Sequence, residues 1–420
     1  MKRPTAGARK KVTAENLVAL GAERLAEVLL GVAETRPDLK RRLRMELAAE
    51  QGADHLVAEV DRRLNTLGTS RGHISWRQRP AFARDLAAVR ELIGVRLADL
   101  DRGAALTRLW TFLTLWSRVS GRVRDREGAV AQPFVAAARD LGRLLGREDI
   151  AEAASALVGA LQQAPSQWTT WLPAVLENLP PATADRALPL VQQETRPATG
   201  WLILARQLAD AASDAVAYRE TFSTEALRTP QIAAQVARRD LAAGRLSEAG
   251  ELLRASAPAA DRHGRLAAPD FDWEGVWIDY LEASGASSAA QAVRWASFER
   301  TLAADRARDI IVRLPDFEDV EAEARVFDIA AAHADAGLAV RLLMDWPSFP
   351  AAARLIEARG DDLQLEPEDA ELWSARLRRR FPAAAHRLLR RGAALAFRRR
   401  EYQSSTRLTE EADSIDLPRR

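Results

Sequence analysis

The sequence predicts an all-α protein, built as an irregular α-solenoid of stacked helical hairpins. Three observations lead to this prediction. Apolar residues recur at helical spacing, alanine and leucine are abundant without long β-branched runs, and glycines separate short amphipathic segments. A short amphipathic helix cannot bury its apolar stripe alone, so we expect each hairpin to stack on its neighbours.

The clearest predicted hairpin begins at a helix whose apolar face consists of Trp273, Val276, Trp277, Tyr280 and Leu281. Gly285 is predicted to end this helix in a left-handed conformation. Ser288 and Gln291 have the spacing of a capping box for the next helix. That second helix would bury Trp295 and Phe298, which also lie on one face.

The same pattern continues on both sides of this hairpin. Upstream, a helix is predicted to turn at Gly244 and restart with Ser247 as its N-cap. Downstream, Gly337 is predicted to be a turn glycine before another apolar stripe. The three glycines are separated by 41 and 52 residues, too unevenly for a strict tetratricopeptide array. We therefore predict a tetratricopeptide-like but irregular solenoid.

The remaining chain divides by composition into four predicted regions. Thr13 is the expected N-cap of the first helix, and the polar, charged stretch 120–133 is the best candidate linker. The predicted regions are a disordered basic arm (1–12), an N-terminal helical region (13–128), the solenoid (129–402) and a C-terminal tail (403–420).

Several motifs resemble those of one uncharacterised, mainly proteobacterial family that is known only as a domain of unknown function. They are RWASFERTL, LPDFEDVEAE and DWPSFPAAARLIE, and the likeness extends from about Thr13 to about Tyr402. The resemblance implies no activity. The helical array is also similar to that of some SWIM zinc-finger proteins, but this chain has no cysteine and so lacks their zinc knuckle.

The composition excludes several functional classes. Without cysteine the chain has no disulfides, thiol nucleophiles or cysteine-ligated zinc. The longest apolar run, at 201–205, is far shorter than the roughly 20 residues needed to span a bilayer. No nucleotide-binding glycine motif, HExxH or GxSxG occurs. We therefore expect a cytoplasmic protein that has no membrane span, no metal site, no cofactor and no catalytic residues.

Charge is distributed unevenly along the chain. Residues 251–370 contain 12 basic and 24 acidic residues, whereas residues 371–420 contain 13 basic and 6 acidic ones. A predicted helix from about 383 to 400 places four arginines on one side, and these are candidates for binding an anion or a partner: Arg387, Arg390, Arg391 and Arg398. The alternative is a solvated face, or internal pairing with the acidic block.

Two further features have both a functional and a structural interpretation. Trp273 and Trp277, four residues apart, could line a groove for a peptide or could simply pack between helices. The acidic run 316–323 could hold a cation or act catalytically. However, it follows Pro315 where a helix is predicted to begin, and carboxylates stabilise helix N-termini.

The leading functional hypothesis is a non-enzymatic, helical-repeat scaffold for an unknown protein partner. One alternative is an electrostatic nucleic-acid-binding protein that uses the basic N- and C-terminal regions. The other is an enzyme with an unrecognised site. The partner, the process served and the oligomeric state are left open by the sequence.

Overall fold

A computed structural model describes residues 12–193, 200–258, 267–315 and 317–417. Within these ranges the regular elements are helices, and no strand occurs apart from an isolated bridge between Ile74 and Val123. The predicted all-α class is therefore confirmed. Residues 1–11 of the predicted basic arm lie outside the described residues.

The chain forms two compact units, residues 1–223 and 224–420. The helices of the first unit are α1 (Ala14–Val18), α2 (Ala22–Thr35), α3 (Pro37–Gln51), α4 (Ala53–Thr69), α5 (Arg79–Glu91), α6 (Ala98–Leu100), α7 (Arg102–Thr114), α8 (Trp116–Ser120), α9 (Gln132–Leu145), α10 (Ile150–Gln163), α11 (Pro165–Leu176), α12 (Pro181–Gln192), α13 (Trp201–Ala211) and α14 (Ala215–Glu220).

The helices of the second unit are α15 (Pro230–Ala242), α16 (Leu246–Ala255), α17 (Phe271–Ala283), α18 (Ser287–Thr301), α19 (Ala304–Ile311), α20 (Glu318–Ala332), α21 (Ala336–Asp345), α22 (Phe349–Arg359), α23 (Pro367–Leu377), α24 (Pro382–Arg398) and α25 (Tyr402–Asp413). Each of these helices packs mainly against those that precede or follow it.

Three of the predicted helix ends are confirmed. The Thr13 hydroxyl accepts a hydrogen bond from the backbone N–H of Asn16 and caps α1. Gly244 and Gly285 have φ values of +73° and +78° and end α15 and α17. Only glycine adopts this left-handed conformation without a steric cost, so these residues set the two hairpin turns.

Three other local predictions are wrong. Ser247 lies inside α16, whose N-cap is Arg245, and no side chain caps that helix. Ser288 lies inside α18 and forms no capping box, because the Gln291 side chain instead donates to the carbonyl of Ile310. Gly337 is not a turn residue but lies in the first turn of α21, where its amide donates to the side-chain cap Asp335.

Regional boundaries also differ from those expected from composition. The candidate linker 120–133 lies within the first unit, where α7 and α9 flank it and pack against each other. Part of the predicted C-terminal tail forms α25, which packs against α24. Leu408 and Ala412 of α25 are fully buried in that contact. Burial of two apolar side chains by a neighbouring helix is a tertiary effect that composition does not reveal.

Buried carboxylates in the first unit join its helices through arginine. Asp85 of α5 is almost fully buried and is paired with Arg41 of α3 and Arg63 of α4. Asp140 of α9 is paired with Arg90 of α5 at 2.5 Å and with Arg143 of its own helix. A buried carboxylate without a partner is strongly unfavourable, so each aspartate requires these helices to be adjacent.

None of the described helices is both long and apolar enough to cross a membrane.

The hairpin turn at Gly285 allows a direct test of the fold. Replacing Gly285 with Ala should lower the free energy of unfolding by about 1 kcal/mol, because a Cβ at positive φ clashes with the backbone. Gly285→Asn is the matched control, since asparagine tolerates this conformation, and it should cost less. Urea unfolding followed by circular dichroism measures both, and equal losses would contradict the assigned turn.

Candidate functional site

A groove of about 360 Å³ lies in the second unit between α15, α17 and α19. We call it the Arg306 groove. Its lining is mostly charged, with Arg238 from α15, Asp272 and Asp279 from α17, and Arg306 and Asp309 from α19. The side chains of both signs make it suitable for a charged or zwitterionic partner.

A second groove, of about 430 Å³, lies beside α19 and α21. We call it the Leu338 groove. Leu302 and Leu338 are among its apolar residues, and Arg308 and Arg341 are among its charged ones. Asp305 lines both grooves and its side chain is 91% exposed. Asp305 on α19 is therefore a lining residue of both grooves.

A network of buried charges supports the Arg306 groove from below. Arg294 of α18 is only 1% exposed, and its guanidinium pairs with Glu282 of α17 at 2.7 Å and with Asp309 of α19 at 2.6 Å. Arg313 also pairs with Asp309 and so extends the network to the end of α19. One buried cation thus sets the positions of three helices, two of which line the groove.

A second buried pair joins α17 to α18. Glu274 is nearly fully buried and accepts hydrogen bonds from the guanidinium of Arg300 at 3.1 and 2.5 Å. The Ser297 hydroxyl donates a third hydrogen bond to the same carboxylate at 2.8 Å. Both carboxylate oxygens therefore accept hydrogen bonds from α18, which attaches α17 to that helix.

Arg306 differs from these arginines because no described carboxylate lies within ion-pairing distance of it. Its guanidinium lies over the ring of Phe271, 4.4 Å from the ring centroid, and donates to the Phe271 carbonyl at 3.1 Å. Its Nε atom is buried and has no hydrogen-bond partner among the described residues. Burial lowers the pKa of Arg306, although Glu274, Asp309 and Asp279 oppose this effect.

Three of the four candidate arginines on α24 make hydrogen bonds or ion pairs within the chain. Two of them, Arg387 and Arg391, bind residues that precede α23. Arg387 donates to the Glu357 carbonyl at 2.5 Å and pairs with Asp361 at 3.0 Å. Both acceptors belong to the acidic block 251–370, which was the internal partner considered from the sequence. Arg391 donates to the Leu363 carbonyl at 2.8 Å.

The other two α24 arginines face solvent. Arg390 is exposed but pairs with Asp413 of α25 at 2.5 Å. Arg398 is exposed at the C-terminal end of α24, where no described residue pairs with it. The four residues therefore do not form one open basic face.

The two candidate groove tryptophans form part of an aromatic stack between α16 and α17. Trp273 is 6% exposed and its indole N–H donates to the Ser256 hydroxyl at 3.0 Å. Trp277 stacks on Trp273 with ring centroids 5.8 Å apart, and Tyr280 stacks on Trp277 at 5.1 Å. The Tyr280 ring lies so close to Gly250 of α16 that no Cβ could fit there. Neither tryptophan lines the Arg306 groove or the Leu338 groove.

The described part of the acidic run lies at the start of α20. Glu318, Asp319 and Glu321 are exposed in its first turn, where the helix dipole stabilises negative charge. Glu323 accepts a hydrogen bond from the indole N–H of Trp346 at 2.7 Å, which ties α20 to the end of α21. Asp316 lies outside the described residues. No cluster of three or more histidine or acidic side chains suited to a metal ion occurs in the described ranges.

The residues that define the grooves, above all Arg306 and Asp305, were not recognised from the sequence. In a chain with 61 basic residues an individual arginine is not distinctive. The usable signal was the acidic excess of residues 251–370, because the six acidic residues around Arg294 and Arg306 all belong to that block: Asp272, Glu274, Asp279, Glu282, Asp305 and Asp309.

Comparison with known families gives one match. A family model described as a family of unknown function, DUF6880, matches residues 7–196 and 190–417. The two matched regions together include nearly all of both compact units. The predicted resemblance to an uncharacterised family is confirmed. No curated protein matches this sequence.

Loss of the buried cation under the groove should strongly destabilise the second unit. Arg294→Met removes the buried partner of the Glu282 and Asp309 carboxylates, which still pair with Arg313, and we expect a loss of about 2–3 kcal/mol. Arg390→Met removes an exposed pair and should cost less than about 1 kcal/mol. Chemical denaturation of the two variants provides the comparison, and similar losses would show that Arg294 does not hold the helices together.

The same network predicts a dependence on pH. The Ser287 hydroxyl and then the Arg294 guanidinium lower the pKa of Glu282 below its usual 4.5. Because the folded pKa is the lower one, this stabilisation is present above pH 4.5 and is lost as the pH falls further. Ser287→Ala should raise the pKa of Glu282, as measured by carboxyl ¹³C NMR titration. An unchanged pKa would rule out the hydrogen bond from Ser287.

Proposed function

The chain belongs to the DUF6880 family of unknown function, and we propose that it is a non-enzymatic α-solenoid scaffold that binds a segment of a protein partner. The bound segment lies along α17, α19 and α21 and occupies the Arg306 groove and the Leu338 groove. Solenoids commonly bind extended partners along such rows of helices.

The order of helix packing in the second unit supports the solenoid arrangement. α15 packs against α16 and α17, and each helix from α17 to α21 packs against the next one; α22 then packs against α24, which also contacts α23 and α25. Contacts between sequential helices are what a helical-repeat array requires, because each hairpin buries its apolar face on the next.

The position of Asp305 in the lining of both grooves is the observation that carries this proposal. An extended segment that crosses Asp305 could contact both grooves at once. Each groove combines apolar residues with paired and unpaired charges, which suits a peptide better than a small apolar ligand. Leu338 is 39% exposed and Phe271 is 42% exposed, so each groove has an apolar side chain available to a partner.

The state of the buried acids supports a non-enzymatic role. A general acid or base needs an oxygen that can reach a substrate. Glu274, Asp85 and Asp140 are instead buried and neutralised by arginine from neighbouring helices. These carboxylates therefore attach neighbouring helices to each other through ion pairs with arginine.

Nucleic-acid binding is a weaker candidate. It was predicted to use the basic N- and C-terminal regions, and in the C-terminal region Arg387, Arg390 and Arg391 make contacts within the chain. The four aspartates in the Arg306 groove would also repel a phosphate backbone. A partner whose recovery disappears with nuclease treatment would favour this alternative over the scaffold.

Charge reversal at the residue shared by the grooves tests the proposed function. Asp305→Arg should reduce partner recovery by on the order of 10-fold, because it adds a bulky cation where both grooves meet. Its only described ion pair, with Arg308, is exposed and contributes little to folding. Recovery is measured by quantitative mass spectrometry after affinity purification from the native host.

The matched control is Asp328→Arg, which makes the same change in charge at an exposed position of α20 outside both grooves. It should leave partner recovery unchanged. Photo-crosslinking from position 338 should label the partner, whereas crosslinking from the exposed Leu372 of α23 should not. Equal effects of the two charge reversals, or equal labelling from the two positions, would contradict a binding surface at these grooves.

A further inference from the structure

The Arg306 groove contains a half-buried arginine, Arg306, and no described carboxylate lies within ion-pairing distance of it. Arg63, Arg294 and Arg300 are comparably or more buried, and each is paired with at least one carboxylate. Arg306 has only the Phe271 carbonyl and ring as described neighbours, and its Nε is buried without an acceptor. Removing a cation from water is unfavourable unless an anion or acceptor compensates.

The groove also holds the Arg306 guanidinium in a defined orientation. The planar group lies on the Phe271 ring, and its Nη2 donates to the backbone at the start of α17. Gly275 of α17 lies beside the guanidinium, and a Cβ there would be in ordinary van der Waals contact with Nη2, at 3.4 Å. A pre-oriented guanidinium loses little freedom on binding and matches the geometry of a carboxylate.

We propose that Arg306 is the receptor for an acidic side chain of the bound protein segment, with Arg238 as the second cation of the same groove. Arg238 is exposed on α15, where no described residue pairs with it. This inference rests on the proposed function and names the chemistry of the partner.

The aspartates of the groove determine what surrounds that acidic side chain. Asp272 and Asp279 are exposed, and no described side chain pairs with their carboxylates. They would repel a phosphate or a run of acidic residues but attract lysine or arginine. The segment that fits therefore presents one acidic residue flanked by basic residues, a pattern that a uniformly charged polymer does not offer.

A peptide selection tests the inference whatever the identity of the natural partner. Phage-displayed peptides are selected on the full-length wild-type protein and then screened against Arg306→Gln. Peptides that lose binding to this variant should carry Asp or Glu with Lys or Arg nearby. Replacing that acidic residue by its amide should weaken binding to the wild type by on the order of 10-fold, as expected for a partly exposed charge-assisted hydrogen bond.

A double-mutant cycle gives the decisive comparison. If the acidic residue contacts Arg306, its replacement should have little further effect on binding to Arg306→Gln. Arg306→Lys should bind with intermediate affinity, because it keeps the charge but not the planar pair of donors. Asp279→Asn should specifically weaken the contribution of the flanking basic residues. Arg354→Gln, at an exposed site on α22 outside the grooves, is the matched control and should bind normally.

The outcomes separate this inference from the proposed function. Peptides that are blocked by Asp305→Arg but insensitive to Arg306→Gln would overturn the carboxylate receptor and leave the groove as a binding surface. Selected peptides that are insensitive to both variants would overturn both proposals. Circular dichroism melting of Arg306→Lys and Arg306→Gln shows whether a variant loses binding because it is unfolded. The inference would also be contradicted if replacing the acidic residue of the peptide by its amide weakened binding to the wild type and to Arg306→Gln equally.

Discussion

The neutralisation of buried carboxylates is the constraint on which much of this structure depends. Asp85, Asp140 and Glu274 lie where water is excluded, and each is paired with arginine from another helix. Arg294 shows the converse arrangement, a buried cation held by carboxylates from two helices. Replacing such a pair with apolar side chains can leave stability unchanged, whereas removing one partner is costly. The pairs therefore determine which helices are neighbours more than they increase overall stability.

Close packing of the helices reinforces this arrangement at a few positions. Gly250 allows the Tyr280 ring to approach α16, so that the stack of Trp273, Trp277 and Tyr280 fills the contact between α16 and α17. An aromatic stack buries a large apolar area and prefers a defined offset geometry. The aromatic stack attaches α17 to α16, and the ion pairs of Glu274 and Glu282 attach α17 to α18. Together these contacts position α17, which contributes several residues to the Arg306 groove.

The use of arginine within the chain connects this architecture to the proposed binding surface. Most buried or half-buried arginines complete an ion pair between helices, and three on α24 bind acceptors in the same way. Arg306 is half-buried, its Nε has no hydrogen-bond partner among the described residues, and no described carboxylate pairs with it. The proposed acidic side chain of a partner would make there the same interaction that Arg294 makes inside the fold.

The sequence by itself determined the helical class, the hairpin turns at Gly244 and Gly285, and the cap at Thr13, because helical periodicity, positive φ and capping depend on residues close together in the chain. Only the tertiary structure decided which charges are paired, that Trp273 is buried and that no described carboxylate forms an ion pair with Arg306. These properties depend on contacts between different helices. Arg294 and Asp309 are 15 positions apart in the sequence, and Glu274 and Arg300 are 26 positions apart. A local pattern contains no information about such partners, since any exposed arginine has the same sequence signature.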